Sequence, residues 1–135
     1  MHEWALAEGV IAAALKVAVK GSIKEITEVI VDIGELQQVE HDVLVFALNI
    51  LKTSEMKAAR FVLRSISAKM RCRACGEEWS FSPEELEEEV SEAIHFVPEV
   101  AHVYIKCPRC GSPDFEVVEG RGVWLAQVKG VRKDG

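Results

Sequence analysis

Five residues stand out in this 135-residue chain for their power to hold metal: four cysteines and the histidine at position 2. The cysteines form two C-x2-C pairs, Cys72 with Cys75 and Cys107 with Cys110, separated by 31 residues. Both lie in turn sequences, CRACGEEW and CPRCGSPDF. The glycine after each second cysteine lets the backbone turn so that amide N–H groups face the sulfurs. A d10 zinc ion takes four thiolates tetrahedrally, and two such knuckles supply them from opposite sides. The gap exceeds the usual spacing of roughly 15–20 residues. Residues 83–103 would then form an excursion between the knuckles. A closed four-cysteine site leaves no position open for water or substrate, so its role is structural.

Three other uses of these cysteines compete. Disulfides are disfavoured because no secretory signal is visible, although hyperthermophiles do carry them in the cytosol. A redox C-x-x-C stands alone near a βαβ unit rather than as a matched pair. Iron is the serious rival, because CxxCG with CPxCG also resembles rubredoxin, and four thiolates alone do not separate the two metals. Structural zinc is the preferred reading.

At the other end of the chain, MHE offers nitrogen ligands. An α-amine has a pKa of roughly 7.7–8.0 and loses its proton readily to a competing metal. The His2 imidazole can close chelate rings with that amine and with the amide nitrogen between them, and the Glu3 amide adds another nitrogen. Ni2+ and Cu2+ suit such square-planar sets, whereas Zn2+ prefers a tetrahedron. The amine must be free and Met1 retained, which a bulky second residue favours. From spacing alone, a solvated histidine at a frayed end is still the better reading. Among the other histidines, His41 reads as a surface residue and His102, in the apolar strand-like run VAHVYI, as packed or hydrogen-bonded. His95, beside a proline-terminated turn, is the better candidate for an additional ligand.

The elements that must position these groups follow from periodicity. Apolar residues at 4, 7, 11, 14, 15 and 18 mark one face of a helix that ends at Gly21. ITEVIVDI (26–33) alternates as a strand with Val29, Val31 and Ile33 on one side. Asp42 stands as an N-cap before VLVFALNIL, a second helix with Val43, Phe46, Ala47, Ile50 and Leu51 as its stripe. Another strand covers 60–67, and FEVVEGRGVWLAQV (115–128) resumes a β pattern interrupted by Gly120 and Gly122, which suggest a bulge, bend or turn. The expected fold is α+β: a small mixed sheet with two helices, plus an inserted zinc-ribbon or rubredoxin-like knuckle domain. Residues 1–68 with 115–135 would form the first domain and 69–114 the second, the metal supplying stability that so short a segment lacks.

The net charge of −6 is uneven, because 76–105 holds nine of the 22 acidic residues and none of the 16 basic ones. Such a block repels phosphate and argues against nucleic acid as partner. No apolar run reaches the roughly 18 residues of a membrane span, and a cytoplasmic protein is expected. Nothing pairs a nucleophile with a base and no phosphate loop is present, so an enzyme is not expected.

MHEWAL, VDIGELQQV (31–39), the two knuckles and SPDFEVVEGRG together resemble the HypA family, the nickel metallochaperones of NiFe-hydrogenase maturation. The long excursion containing IHFVPEVAH is similar to that of the archaeal members. The resemblance implies structural zinc on Cys72, Cys75, Cys107 and Cys110, and nickel as cargo on Met1, His2 and Glu3. It also implies two partners, a HypB-type GTPase and the hydrogenase large-subunit precursor. A zinc-ribbon adaptor or rubredoxin-like carrier is the alternative, and neither gives a reason for MHE. Oligomeric state stays open, a homodimer included.

Overall fold

The computed structural model describes residues 2–81, 87–96 and 101–132. In chain order the elements are α1 (Glu3–Lys20), β1 (Ile23–Gly34), α2 (His41–Leu51), β2 (Arg60–Ile66), β3 (Ala68–Cys72), β4 (Glu78–Phe81), α3 (Glu88–Phe96), α4 (Ala101–Tyr104), β5 (Phe115–Glu119) and β6 (Val123–Arg132). A short 3-10 turn, Glu35–Gln37, follows β1. Two three-stranded sheets result, ordered β2-β1-β6 and β4-β3-β5. The chain forms two compact units: Met1–Asp32, Val39–Arg64 and Val123–Gly135 make one, Ile33–Gln38 and Ser65–Gly122 the other. The expected α+β class holds, with two helices in the unit of the first sheet and the four cysteines in the unit of the second.

In the first unit α1 packs along α2 and against β6. Its buried stripe is Ala7, Val10, Ile11, Ala14 and Ala18, and the small alanines let the helix axes approach. Trp4, expected on that stripe, is 40% exposed and meets Phe46 edge to face instead. β1 departs from simple alternation: from Val29 to Gly34 every residue is buried, so both faces are covered. Asp32 is among them, and Arg64 satisfies it bidentately, Nε to Oδ1 at 2.7 Å and Nη2 to Oδ2 at 3.0 Å.

The stripe expected on α2 is corrected. Leu44, Ala47 and Leu48 are buried, whereas Val43, Phe46 and Ile50 are exposed. VLVFALNIL is apolar all round, so periodicity alone does not choose its inner face. Asp42 is not the N-cap either: Glu40 holds that position and Asp42 lies in the first turn, where its charge still complements the helix dipole. Leu48→Ala should therefore cost about 2–5 kcal/mol in urea unfolding, and Phe46→Ala should stay within about 0.5 kcal/mol. Equal costs would contradict this assignment of faces.

The β pattern over 115–128 divides between the sheets, β5 pairing with β3 and β6 with β1. Gly120 and Gly122, at φ +94° and +89°, carry the chain from one to the other. The same point explains the GEL motif. Gly34 N–H donates to the Gly122 carbonyl at 2.8 Å and Leu36 N–H to the Gly120 carbonyl at 3.0 Å. A Cβ on Gly34 would run into the Gly120 carbonyl, so only glycine fits. Leu36 then enters the core of the second unit with Ala68, Met70, Phe81, Ile105 and Phe115.

Candidate metal centre

The second sheet exists to bring the knuckles together. β3 pairs antiparallel with β4 (Arg71 opposite Glu78) and with β5 (Cys72 opposite Phe115). Cys72 thus ends the central strand. The two knuckles close by the same pair of bonds. In the first, Cys72 N–H donates to the Glu77 carbonyl at 2.8 Å and Gly76 N–H to the Cys72 carbonyl at 2.9 Å. In the second, Cys107 N–H donates to Ser112 at 2.9 Å and Gly111 N–H to Cys107 at 2.8 Å. Gly76 and Gly111 hold φ of +81° and +76°, the left-handed conformation that each tight turn demands.

The sulfurs converge across the knuckles. Cys72 Sγ lies 3.6 Å from Cys110 Sγ, and Cys75 Sγ lies 3.6 Å from Cys107 Sγ. All four sulfurs fall within 4.8 Å of one another. Zinc–sulfur bonds of about 2.3 Å in a tetrahedron put sulfurs about 3.8 Å apart, so the set fits a four-thiolate metal. Cys72 and Cys107 are buried, Cys75 and Cys110 exposed. No other group of three or more His, Cys, Asp or Glu is so placed among the described residues.

The electrostatics of the metal-free cluster point the same way. The Cys75 N–H, 3.4 Å from Cys72 Sγ, is the main cause that lowers the Cys72 thiol to about 7. At Cys75 the Glu77 N–H favours the thiolate, but burial and the neighbouring sulfurs outweigh it and push the thiol up to about 12. Cys110 is raised as well: the Ser112 N–H pulls down, and Cys72 and desolvation push harder upward. Four thiolates cannot share this space without a dication to neutralise them. Metal binding therefore releases protons, and acid must favour the metal-free form. Zinc affinity should fall more than about tenfold per pH unit below about 7, where even Cys72 is protonated. A competition titration with a chromophoric chelator measures this, and a flat profile would contradict it.

Around the site, Arg71 Nε bonds Glu116 at 2.9 Å, Arg73 pairs with Asp114 at 3.1 Å and Lys69 with Glu78 at 3.1 Å. These exposed pairs contribute little each. Of these acids only Glu78 belongs to the 76–105 block, and it pairs within the knuckle sheet.

At the N-terminus, His2 is the N-cap of α1 and its carbonyl accepts the Leu6 N–H at 3.0 Å. Glu3 begins the helix and is only 3% exposed. Its Oε2 accepts the Glu40 N–H at 3.1 Å, a contact that ties the start of α1 to the start of α2. The carboxyl is held at about 2, first by hydrogen bonding to the terminal ammonium and then by Glu40 against the pull of desolvation. Residues 2 and 3 are thus built into the fold rather than frayed. Met1 lies outside the described residues. Glu40 carries no signal in the sequence, since its contribution is a backbone N–H.

The remaining histidines lie on other elements. His41 opens α2 and is half-buried. His95 lies in α3, its side chain outside the described residues. VAHVYI is not a strand: Ala101–Tyr104 is a helix and Ile105 is buried. His102 is packed and hydrogen-bonded, as expected, its Nδ1 2.8 Å from the Pro113 carbonyl.

A family profile described as "Hydrogenase/urease nickel incorporation, metallochaperone, hypA" matches residues 1–130. The chain belongs to the HypA family. The hydrogenase maturation factor HypA of Pyrococcus horikoshii is 44% identical over all of this chain and 99% of its own length. That of Methanothermobacter thermautotrophicus is 31% identical over 99% of this chain and all of its own. A solution structure of the Ni metallochaperone HypA from Helicobacter pylori superposes with a TM-score of 0.67. It covers 98% of this chain and 100% of that one at 18% identity, which speaks for a shared fold. As a HypA protein the chain is a nickel metallochaperone of hydrogenase maturation and not an enzyme. No helix among the described residues is long and apolar enough to cross a membrane.

Proposed function

We propose that this HypA protein takes up nickel at its first three residues and holds zinc at its four cysteines, the two metals never sharing ligands. The nickel ligands are the Met1 amine, the His2 imidazole and amide, and the Glu3 amide, with His95 as an additional ligand. What carries the reading is the anchored start of α1. The Glu3 carboxylate is engaged by the terminal ammonium and the Glu40 N–H, so its contribution to nickel is the backbone nitrogen. The first N–H groups of a helix have no acceptor within it. A metal that displaces those protons costs the helix no ladder bond.

Zinc on Cys72, Cys75, Cys107 and Cys110 supplies folding stability to the second unit and no reactivity. The cargo passes to the hydrogenase large-subunit precursor with a HypB-type GTPase as co-partner, in the cytoplasm. The acidic block between the knuckles argues against nucleic acid. Acetylation of the α-amine tests the chelate directly. It should lower nickel affinity by at least about 100-fold, roughly 2.8 kcal/mol, with zinc content unchanged. Equal affinity of acetylated and free protein would refute the terminal site.

A further inference from the structure

His102 makes two contacts that its place on a four-residue helix does not require. Its Nδ1 lies 2.8 Å from the Pro113 carbonyl, and because a carbonyl only accepts, Nδ1 carries the proton. Its ring lies over Phe115 with centroids 4.2 Å apart and planes 34° from parallel. Phe115 is fully buried and sits opposite Cys72 in the β3–β5 pairing. Trp79 packs on the same ring at 5.6 Å. Pro113 belongs to the turn that follows the second knuckle.

So short a helix has little stability of its own. Val103 and Tyr104 face solvent, 69% and 52% exposed. What fastens this arm to the cysteine fold, among its described residues, is His102 together with the buried Ile105 that follows.

We propose that His102 is a positioning residue, a latch that holds the returning arm of the Glu-rich excursion against the second knuckle. The metal-bound cysteine fold thereby sets where the arm lies. The consequence for cargo rests on the proposed nickel site, because the same excursion carries His95. A hydroxyl or methyl group could not act in this way. The latch needs both a flat ring for Phe115 and a donor at the Nδ1 position.

The test uses the full chain, loaded with zinc and free of nickel, so that a failure falls on the latch and not on the nickel assignment. Nitrogen NMR at a pH where imidazole is neutral should find His102 as the Nδ1–H tautomer. Hydrogen exchange over 101–106 should quicken at least about tenfold in His102→Ala, with the Gly76 and Gly111 amides still protected and one zinc per chain. His102→Asn, whose amide can donate from about the place of Nδ1, should recover part of the protection. Three results would each overturn the latch: an Nε2–H tautomer, unchanged exchange in His102→Ala, or loss of zinc from that variant, which would make His102 a support of the knuckles instead.

Discussion

Replacing His2 with alanine should remove nickel binding and leave zinc content and folding as they are. A small second residue invites excision of Met1, so the variant is taken with Met1 verified by mass spectrometry. Alanine then keeps the amine and the amide nitrogens but deletes the imidazole that closes the chelate. The loss should be at least about 100-fold in affinity, or roughly 2.8 kcal/mol. The fold should survive, because His2 caps α1 through its backbone, which alanine keeps. The tie that does hold the terminus, Glu3 to the Glu40 N–H, is untouched by the substitution. Calorimetric titration with Ni2+ at a pH near the amine's own value, about 7.7–8.0, measures the first quantity. Thermal unfolding measures the second. Affinities within a factor of three would remove His2 from the site.

The second large effect belongs to the cysteines. Cys75→Ser should unfold the second unit and spare the helices of the first. Structural zinc contributes about 10–16 kcal/mol of apparent binding energy in small zinc domains, comparable to the whole stability of an ordinary domain. The core that would have to compensate is small: Leu36, Ala68, Met70, Phe81, Ile105 and Phe115. Limited proteolysis should cleave between 70 and 114 in the variant while α1 and α2 keep their circular dichroism. Wild-type resistance over that span, with zinc absent, would show that the core stands without metal.

The knuckles were legible because their chemistry is local. Each needs two cysteines, a glycine with positive φ and two backbone bonds, all within about six residues. The first helix was legible for the same reason, its buried stripe being written at helical spacing. The inner face of α2 was not, because VLVFALNIL offers apolar residues on more than one side and the choice among them falls to packing. The break at Gly120 was visible as a break. Its purpose, passing the chain from one sheet to the other, depends on β1 and β3 waiting far away in sequence. GEL was recognisable as a motif yet mute as physics, until Gly34 was found against the Gly120 carbonyl and Leu36 in the cysteine core. Glu40 could not have been found at all, since any residue but proline offers the same N–H to Glu3.

The Glu3–Glu40 contact bears on how the proposed cargo site would work. A chelate built on a chain end normally loses affinity to the entropy of ordering that end. Here Glu3 already ties the helix start to the Glu40 N–H, so the proposed ligands on residues 2 and 3 would need less ordering when the metal arrives. Glu3→Gln should keep the nitrogens but weaken this tether, and nickel affinity should fall less than in His2→Ala.

X-ray absorption at both metal edges, on protein loaded with one nickel and one zinc per chain, bears most directly on the separation of the two sites. Zinc should show four sulfurs at about 2.3 Å. Nickel should show nitrogen and oxygen neighbours only, with imidazole scattering that disappears in His2→Ala. Sulfur in the nickel shell would place the cargo at the cysteines and contradict the account.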